Sequence, residues 1–287
     1  MSSTESKNTK AILVTGCSSG IGKEIAIHMA GCGYVVFASV RKAEDAEKLK
    51  KQNVKSLVPL FPLDLRKSEQ IAEAGRILEK ELEERKIKGL YAVVNNAGGG
   101  FIAPLELMDL EKMRAEAETR ILGPIALLQA TLPLVRRGNG RILWIQTPSL
   151  MPIAFDASIH AWDFASNCLS RTLQQELLPW GIPSIQIRCG GIKTPSVEKC
   201  YTELEQSMAE WSASGRSLYH DALKKAEMAF RDFDKKRSEP ELIARVVEKA
   251  LSAEKPKRRY QAGHMSGIAA VMECLPQPWT DAILSKR

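Results

Sequence analysis

Ala11-Ile-Leu-Val-Thr15-Gly16-Cys17-Ser18-Ser19-Gly20-Ile21-Gly22 decides the fold, because an apolar run meets a glycine-rich turn there and an amphipathic segment follows. The stretch reads as strand, phosphate loop, helix. One glycine turns the chain sharply, one lets backbone approach a pyrophosphate, and one lets the helix pack on the strand. N–H groups at the helix start then hold the anion, so Gly16, Ser18, Ser19, Gly20, Ile21 and Gly22 are the first candidate cofactor-binding residues. An ordinary tight strand-to-helix turn can carry the same glycines, and the chain beyond has to decide between the two.

Outward from this stretch the first helix runs from about Ile21 to Ala30. Tyr34–Val40 supplies a second strand, rich in β-branched and aromatic residues. At the end of that strand, about 20 residues beyond the glycine turn, NAD calls for an acid on the ribose hydroxyls and NADP for a cation. Arg41 and Lys42 stand there, with no carboxylate beside them, which favours NADPH/NADP+ over a merely exposed Arg41. Leu57–Phe61 reads as a third strand ending near Asp64, Ser68–Arg85 as a long helix, and Leu90–Gly98 as a fourth strand running into a small-residue turn. A helix over Asp109–Ala130 and a fifth strand at Arg141–Gln146 follow. This alternation implies an α/β fold: a Rossmann-type, doubly wound parallel sheet with ligands beyond the strand C-termini.

A chain of 287 residues can bury a large core as one domain, and residues 1–287 read as one, with a flexible N-terminus at 1–9 and a tail at 265–287. No apolar run approaches the roughly 20 residues needed to cross a bilayer, and the N-terminus lacks the apolar core of a signal peptide, so a cytoplasmic protein is expected. Six cysteines without a Cys-x-x-Cys pair suggest neither a disulfide framework nor a metal site. The net charge of +7 comes from scattered lysines and arginines without interleaved aromatics, which gives no reason to expect a nucleic-acid partner.

Thr15-Gly-x-x-x-Gly-x-Gly22, Asp64 and Asn95-Asn-Ala-Gly98 together resemble the short-chain dehydrogenase/reductase family over nearly the whole chain. Cys189-Gly-Gly-Ile-Lys-Thr194 resembles its Pro-Gly-x-Val-x-Thr segment, with Cys189 in place of the proline, and Arg259–Gly263 resembles its last strand. The resemblance implies that Asp64 and Leu65 hold an adenine, that Asn95, Ala97 and Gly98 pack on a ribose, and that Ile192 and Thr194 hold the nicotinamide amide. It also implies a small-molecule substrate, a substrate lid at residues 197–234, and a homo-oligomer formed through the fourth and fifth helices.

The family reduces carbonyls with a serine, a Tyr-x-x-x-Lys pair and a supporting asparagine, which stabilise a developing alkoxide. Here the serine position falls on Thr147 and the asparagine position on Arg120, while the tyrosine and lysine positions fall on Ile159 and Asp163. Shifting by one residue gives His160 and Phe164 instead. No Tyr-x-x-x-Lys occurs between Thr147 and Trp180. Arg120, Asp156, Asp163, Thr147 and His160, with Trp162 as a flat wall, are therefore the candidate catalytic residues. Each has an ordinary alternative as a surface residue, a helix-face charge or a cap.

Hydride delivery to an iminium carbon yields a neutral amine and needs no phenol proton. A carboxylate would pair with such a cation, and Asp156 and Asp163 are both eligible. The substitution pattern is similar to fungal short-chain reductase relatives that reduce a prenylated indole diketopiperazine iminium and shape the product for intramolecular Diels–Alder closure, in bicyclic diazaoctane indole alkaloid biosynthesis. That resemblance implies a bifunctional reductase/Diels–Alderase with a large, aromatic, cationic substrate. A non-catalytic NADP-binding regulator or scaffold is one alternative, and a carbonyl reductase using His160 as acid is another.

Overall fold

The computed structural model describes residues 9–147 and 152–285. The expectation of a flexible terminus at 1–9 lies, apart from Thr9, outside the described residues, as do the last two positions of the 265–287 tail. Seven parallel strands form one sheet in the order β3-β2-β1-β4-β5-β6-β7. They are β1 (Ala11–Val14), β2 (Val35–Ser39), β3 (Leu57–Leu60), β4 (Leu90–Asn95), β5 (Arg141–Gln146), β6 (Ser184–Cys189) and β7 (Arg259–Ala262). The expected doubly wound α/β sheet is present. The strand at Ser184–Cys189, which the sequence reading did not single out, is the sixth.

Both faces of the sheet are covered because strand side chains alternate. In β1 all four residues are buried. Ile12 and Val14 pack with Ile25 and Met29 of α1 (Gly20–Gly31) and Ile243 and Val247 of α9 (Glu241–Ser252). Ala11 and Leu13 pack with Leu78 and Leu82 of α3 (Ser68–Glu84) and Leu127 and Leu134 of α5 (Gly123–Arg137). A strand buried on both faces must read as an unbroken apolar run, which is how this one reads. Each such fully buried leucine or isoleucine contributes about 1.5–3 kcal/mol relative to exposure.

The helix expected over Asp109–Ala130 is three pieces: α4 (Leu110–Ala117), a π-turn over Glu118–Leu122 and α5. Pro124 explains the break. It has no N–H to donate to the Arg120 carbonyl, and its ring would collide with that carbonyl in a regular helix. Asp109 caps α4 through hydrogen bonds from the Glu111 and Lys112 N–H groups. Beyond Ala130, α5 tolerates Pro133 and continues to Arg137. A short helix, α2 (Ala43–Lys50), follows β2 with Lys42 at its N-cap.

α6 (Ala157–Glu176) lies between β5 and β6. The 197–234 segment forms most of α7 (Pro195–Glu210) and all of α8 (Ala213–Asp234). Tyr201, Leu204 and Leu223 of these helices make a satellite core with Ile102, against which Phe155, Trp211, Tyr219 and Phe230 pack. Leu218 and Met228 point outward. The chain closes with α10 (Ser266–Met272) and α11 (Gln277–Leu284), where Leu284 packs on Ala269 and Met272. Among the described residues no helix is long and apolar enough to cross a membrane.

The end of α5 meets the start of β4 through glycines. A Cβ at Gly89 would stand 2.2 Å from the Leu134 carbonyl oxygen and 2.5 Å from the Gly138 nitrogen. Backbone atoms cannot swing aside, so Gly89→Ala is expected to cost about 2 kcal/mol or more in denaturant unfolding. Lys88→Ala, at the exposed neighbour, serves as the neutral control. Equal midpoints for the two variants would show that the contact relaxes freely.

Candidate active site

The carboxyl ends of the central strands border one cleft of about 570 Å³, at the point where β1 and β4 diverge in connection. The glycine loop forms one end. Gly16 and Gly20 have φ of 72° and 57°, where an L side chain is strained. A Cβ at Gly22 would lie 2.3 Å from both the Gly16 carbonyl oxygen and the Asn96 Nδ2. No side chain hydrogen-bonds to the start of α1, and its first turn holds no acid, so the helix presents its N–H groups and positive dipole end to the cleft. The Thr15 hydroxyl ties this loop to β4, accepting from the Asn96 N–H at 2.9 Å and the Ala97 N–H at 3.0 Å.

Of the expected cofactor residues, Gly16, Ser18, Ser19, Gly20, Ile21, Gly22, Arg41, Asp64, Leu65, Ala97, Gly98, Ile192 and Thr194 all line the cleft. Asp64 is gripped by Arg66 at 2.6 Å, and that hydrogen bond, with Arg41 adding its charge, holds its carboxyl below the usual carboxylate range. Lys42 and Asn95 are corrections to the sequence reading. Lys42 is exposed at the cap of α2 and does not reach the cleft, and Asn95 is buried at the end of β4 while Asn96 lines the cleft in its stead.

At the other end stand Arg120, Thr147, Asp156 and Asp163. Arg120 projects from the π-turn, donating Nη1 to Asp163 Oδ1 at 3.0 Å, Nε to Glu116 Oε2 at 3.2 Å, and Nη2 to the Gly99 carbonyl. The second Asp163 oxygen accepts the Thr147 N–H at 2.8 Å. A Cβ at Gly98 would lie 2.8 Å from the guanidinium carbon, so the glycine turn is what lets the arginine lie flat there. Behind Thr147, the fully buried Arg188 donates to its carbonyl at 3.4 Å and pairs with Glu273 at 3.2 Å. Burial lowers the Arg188 pKa.

Asp156 differs from Asp163 in one respect. Its Oδ2 lies 3.4 Å from His160 Nε2, while its Oδ1 is buried and has no hydrogen-bond partner among the described residues. The Thr147 hydroxyl is likewise buried without a partner among them. Two carboxylates (Glu116 and Asp163) thus hold one guanidinium, and Asp156 lines the same cleft. Lys199 and Arg237, also on the cleft wall, pair with Glu203 and Asp234. An apolar wall comes from Ile102, Ile159, Val197, Tyr201 and Phe230. Cys200 donates its thiol to the Gly100 carbonyl at 3.2 Å, and burial pushes that thiol up to about 12.

Between the two registers for the missing Tyr-x-x-x-Lys, Ile159 and Asp163 are the pair in the cleft. His160 is buried outside it, Phe164 is exposed, and Trp162 does not line it. One residue along a helix turns a side chain by about 100°, so His160 and Trp162 are each rotated off the face that Ile159 and Asp163 share. Sequence reasoning missed Glu116, although its i, i+4 spacing from Arg120 was the available signal. It also missed Arg188 and Gly99, which no local pattern marks.

Residues 10–205 match the profile of the short chain dehydrogenase family. The chain belongs to that family. It is 30% identical over 267 residues to estradiol 17-beta-dehydrogenase 2 of Mus musculus, spanning 90% of this chain and 69% of that one. It is 28% identical over 285 residues to human retinol dehydrogenase 16, spanning 96% and 87%. Among solved structures it resembles a short-chain dehydrogenase from Streptomyces avermitilis (TM-score 0.74, 21% identity, 98% and 95% covered). Another is a Burkholderia cenocepacia short chain dehydrogenase in complex with NADP (TM-score 0.72, 21% identity, 96% and 98% covered). The matched residues include the glycine loop after β1 and the positions of Ile159 and Asp163.

Arg120→Met leaves two largely buried carboxylates facing each other without their cation. Removing one partner of a buried pair costs about 3–5 kcal/mol, and the partial exposure of this arginine puts the expectation near the lower figure. Urea unfolding of Arg120→Met and of Arg120→Met/Asp163→Leu checks it: the double variant should recover part of the loss, and no recovery would mean the pair is not what holds this corner.

Proposed function

We propose that this short-chain dehydrogenase is an NADPH-dependent reductase of a cationic C=N carbon. The observation that carries the reading is Asp156 Oδ1, buried on the cleft wall with no hydrogen-bond partner among the described residues, on the same wall as Ile159 and Asp163. Both oxygens of Asp163 are engaged, by Arg120 and the Thr147 N–H, whereas Asp156 has an oxygen with no partner among the described residues and open to a cation. A bound dinucleotide would supply the hydride. The glycine loop would hold its phosphates and Ile192 and Thr194 its carboxamide. Arg41, at the end of β2, would meet a 2′-phosphate.

Asp156 concentrates and orients the iminium through a charge-assisted contact. The Arg120–Glu116–Asp163 cluster fixes the cleft floor and keeps water from it. Hydride addition neutralises the iminium nitrogen and no proton has to be delivered, which agrees with Ile159 standing where a tyrosine is expected. A carbonyl substrate would leave an alkoxide in need of a proton; Ile159 has none to give, and the Tyr201 hydroxyl and Lys199 on the cleft wall are engaged with Asp234 and Glu203. His160, rotated out of the cleft, is a poor source of that proton. Relatives named for estradiol and retinol act on bulky lipophilic molecules, and the wall of Ile102, Tyr201 and Phe230 suits an equally large substrate here. A prenylated indole diketopiperazine, with Diels–Alder closure of the reduced product against the same wall, is the finer form of the proposal. Leu110 and Leu122, exposed on the α4–α5 segment, favour a homo-oligomer.

Two substitutions divide the reading. A charge-assisted hydrogen bond contributes about 1.5–3 kcal/mol. Asp156→Asn should therefore raise KM for a cyclic iminium roughly ten- to hundredfold while leaving NADPH affinity unchanged, with cofactor oxidation and product mass followed together. Unaltered turnover of the iminium, or faster turnover of the matching ketone in the native enzyme, would remove the cation-anchor assignment. Arg41→Ala should weaken NADPH by tenfold or more and NADH little, for the same energetic reason. Equal losses would refute the 2′-phosphate contact.

A further inference from the structure

Far from the cleft, the last turn of α1 and the middle of α9 bring together three metal-ligating side chains that the sequence reading did not connect. His28 and Cys32 are four residues apart, the spacing that stacks two side chains on one helix face. Glu248, 220 residues from His28, reaches them from α9. His28 Nε2 lies 2.7 Å from Glu248 Oε2, and these two atoms and the Cys32 Sγ all lie within 4.8 Å of one another.

We propose that His28, Cys32 and Glu248 form a zinc site. The donor set is one imidazole, one thiolate and one carboxylate, a combination that suits borderline Zn2+ better than Mg2+ or Ca2+, which take oxygen ligands. Zinc–ligand distances near 2.0–2.3 Å in a tetrahedron put ligand atoms about 3.3 Å apart. The His28–Glu248 pair therefore opens by roughly half an ångström and the thiol, within 4.8 Å of both, closes by about 1.5 Å at most, within reach of three side-chain ends of which none is fully buried. Water takes the fourth position. Binding converts the Cys32 thiol to a thiolate and releases its proton to solvent, while His28 binds through a neutral Nε2. Protons compete with zinc for the sulfur, so zinc affinity falls as pH is lowered.

The site has a structural consequence. Helices α1 and α9 already share the core that contains Ile25, Met29, Ile243 and Val247. A zinc ion at the end of α1 ties the helix that carries the glycine loop to α9. The metal then stabilises the fold without entering the cleft.

The test is zinc alone, titrated into the chelator-stripped full chain against a chromophoric chelator, with Co2+ substitution read in the near ultraviolet. The expected result is one ion per chain, a thiolate-to-cobalt charge-transfer band and a rise in melting temperature. Cys32→Ser should lose that band, and His28→Gln should keep it only at higher Co2+ concentrations. Affinity should drop by roughly tenfold or more, since loss even of an outer-shell partner costs 10–100-fold. Cys168→Ser, at another exposed cysteine, should change nothing. Circular dichroism of each variant confirms folding. No binding, a cobalt spectrum without the thiolate band, or equal affinity in Cys32→Ser would overturn the assignment.

Discussion

Everything in the cleft depends on how closely the start of α1 approaches the end of β4. Gly22 can lie on the Gly16 carbonyl and the Asn96 amide only because it carries no side chain. That contact aims the N-terminus of α1 across the ends of the sheet. Thr15 completes it, its hydroxyl bonding to two successive N–H groups beyond β4. The diverging connections at β1 and β4 leave a crevice, and this packing fixes its floor. The nucleotide loop and the glycine turn after β4 are thereby parts of one rigid unit.

At the other end of the cleft, a largely buried guanidinium organises the side chains around it. Arg120 reaches Asp163 because Pro124 forces a π-turn in the helix that carries it, and because Gly98 leaves room for the guanidinium plane. Asp163 in turn holds the Thr147 backbone, whose carbonyl rests on Arg188 and, through it, on Glu273 near the C-terminus. Buried charges are costly unless they are paired and hydrogen-bonded. This chain pairs them in series from α4 to the segment after α10. Asp156 Oδ1 lies outside this series and, like the Thr147 hydroxyl, has no partner among the described residues.

The listing of elements along the chain was largely legible in advance. The apolar β1, the glycines after it and the strand–helix alternation each obey local rules, so the sheet and nearly all of the nucleotide loop could be read directly. A boundary moved at Pro124, where a proline acts against helix periodicity, while α5 runs on through Pro133 to Arg137. The buried strand at Ser184–Cys189 went unread because its polar residues, Gln186 and Arg188, are satisfied by distant partners.

The sequence by itself determined the family of the fold, the glycine turn after β1 and the absence of a Tyr-x-x-x-Lys pair between Thr147 and Trp180, because those follow from periodicity and from residue types at short spacing. Only the tertiary structure decided which aspartate is saturated and which is not, that Ile159 and Asp163 rather than His160 and Phe164 face the cleft, and that His28 and Cys32 meet Glu248. These are questions of rotation about a helix axis and of pairing across more than a hundred residues. Local propensity carries no information about either, since both are settled by packing against elements that the local sequence does not contain.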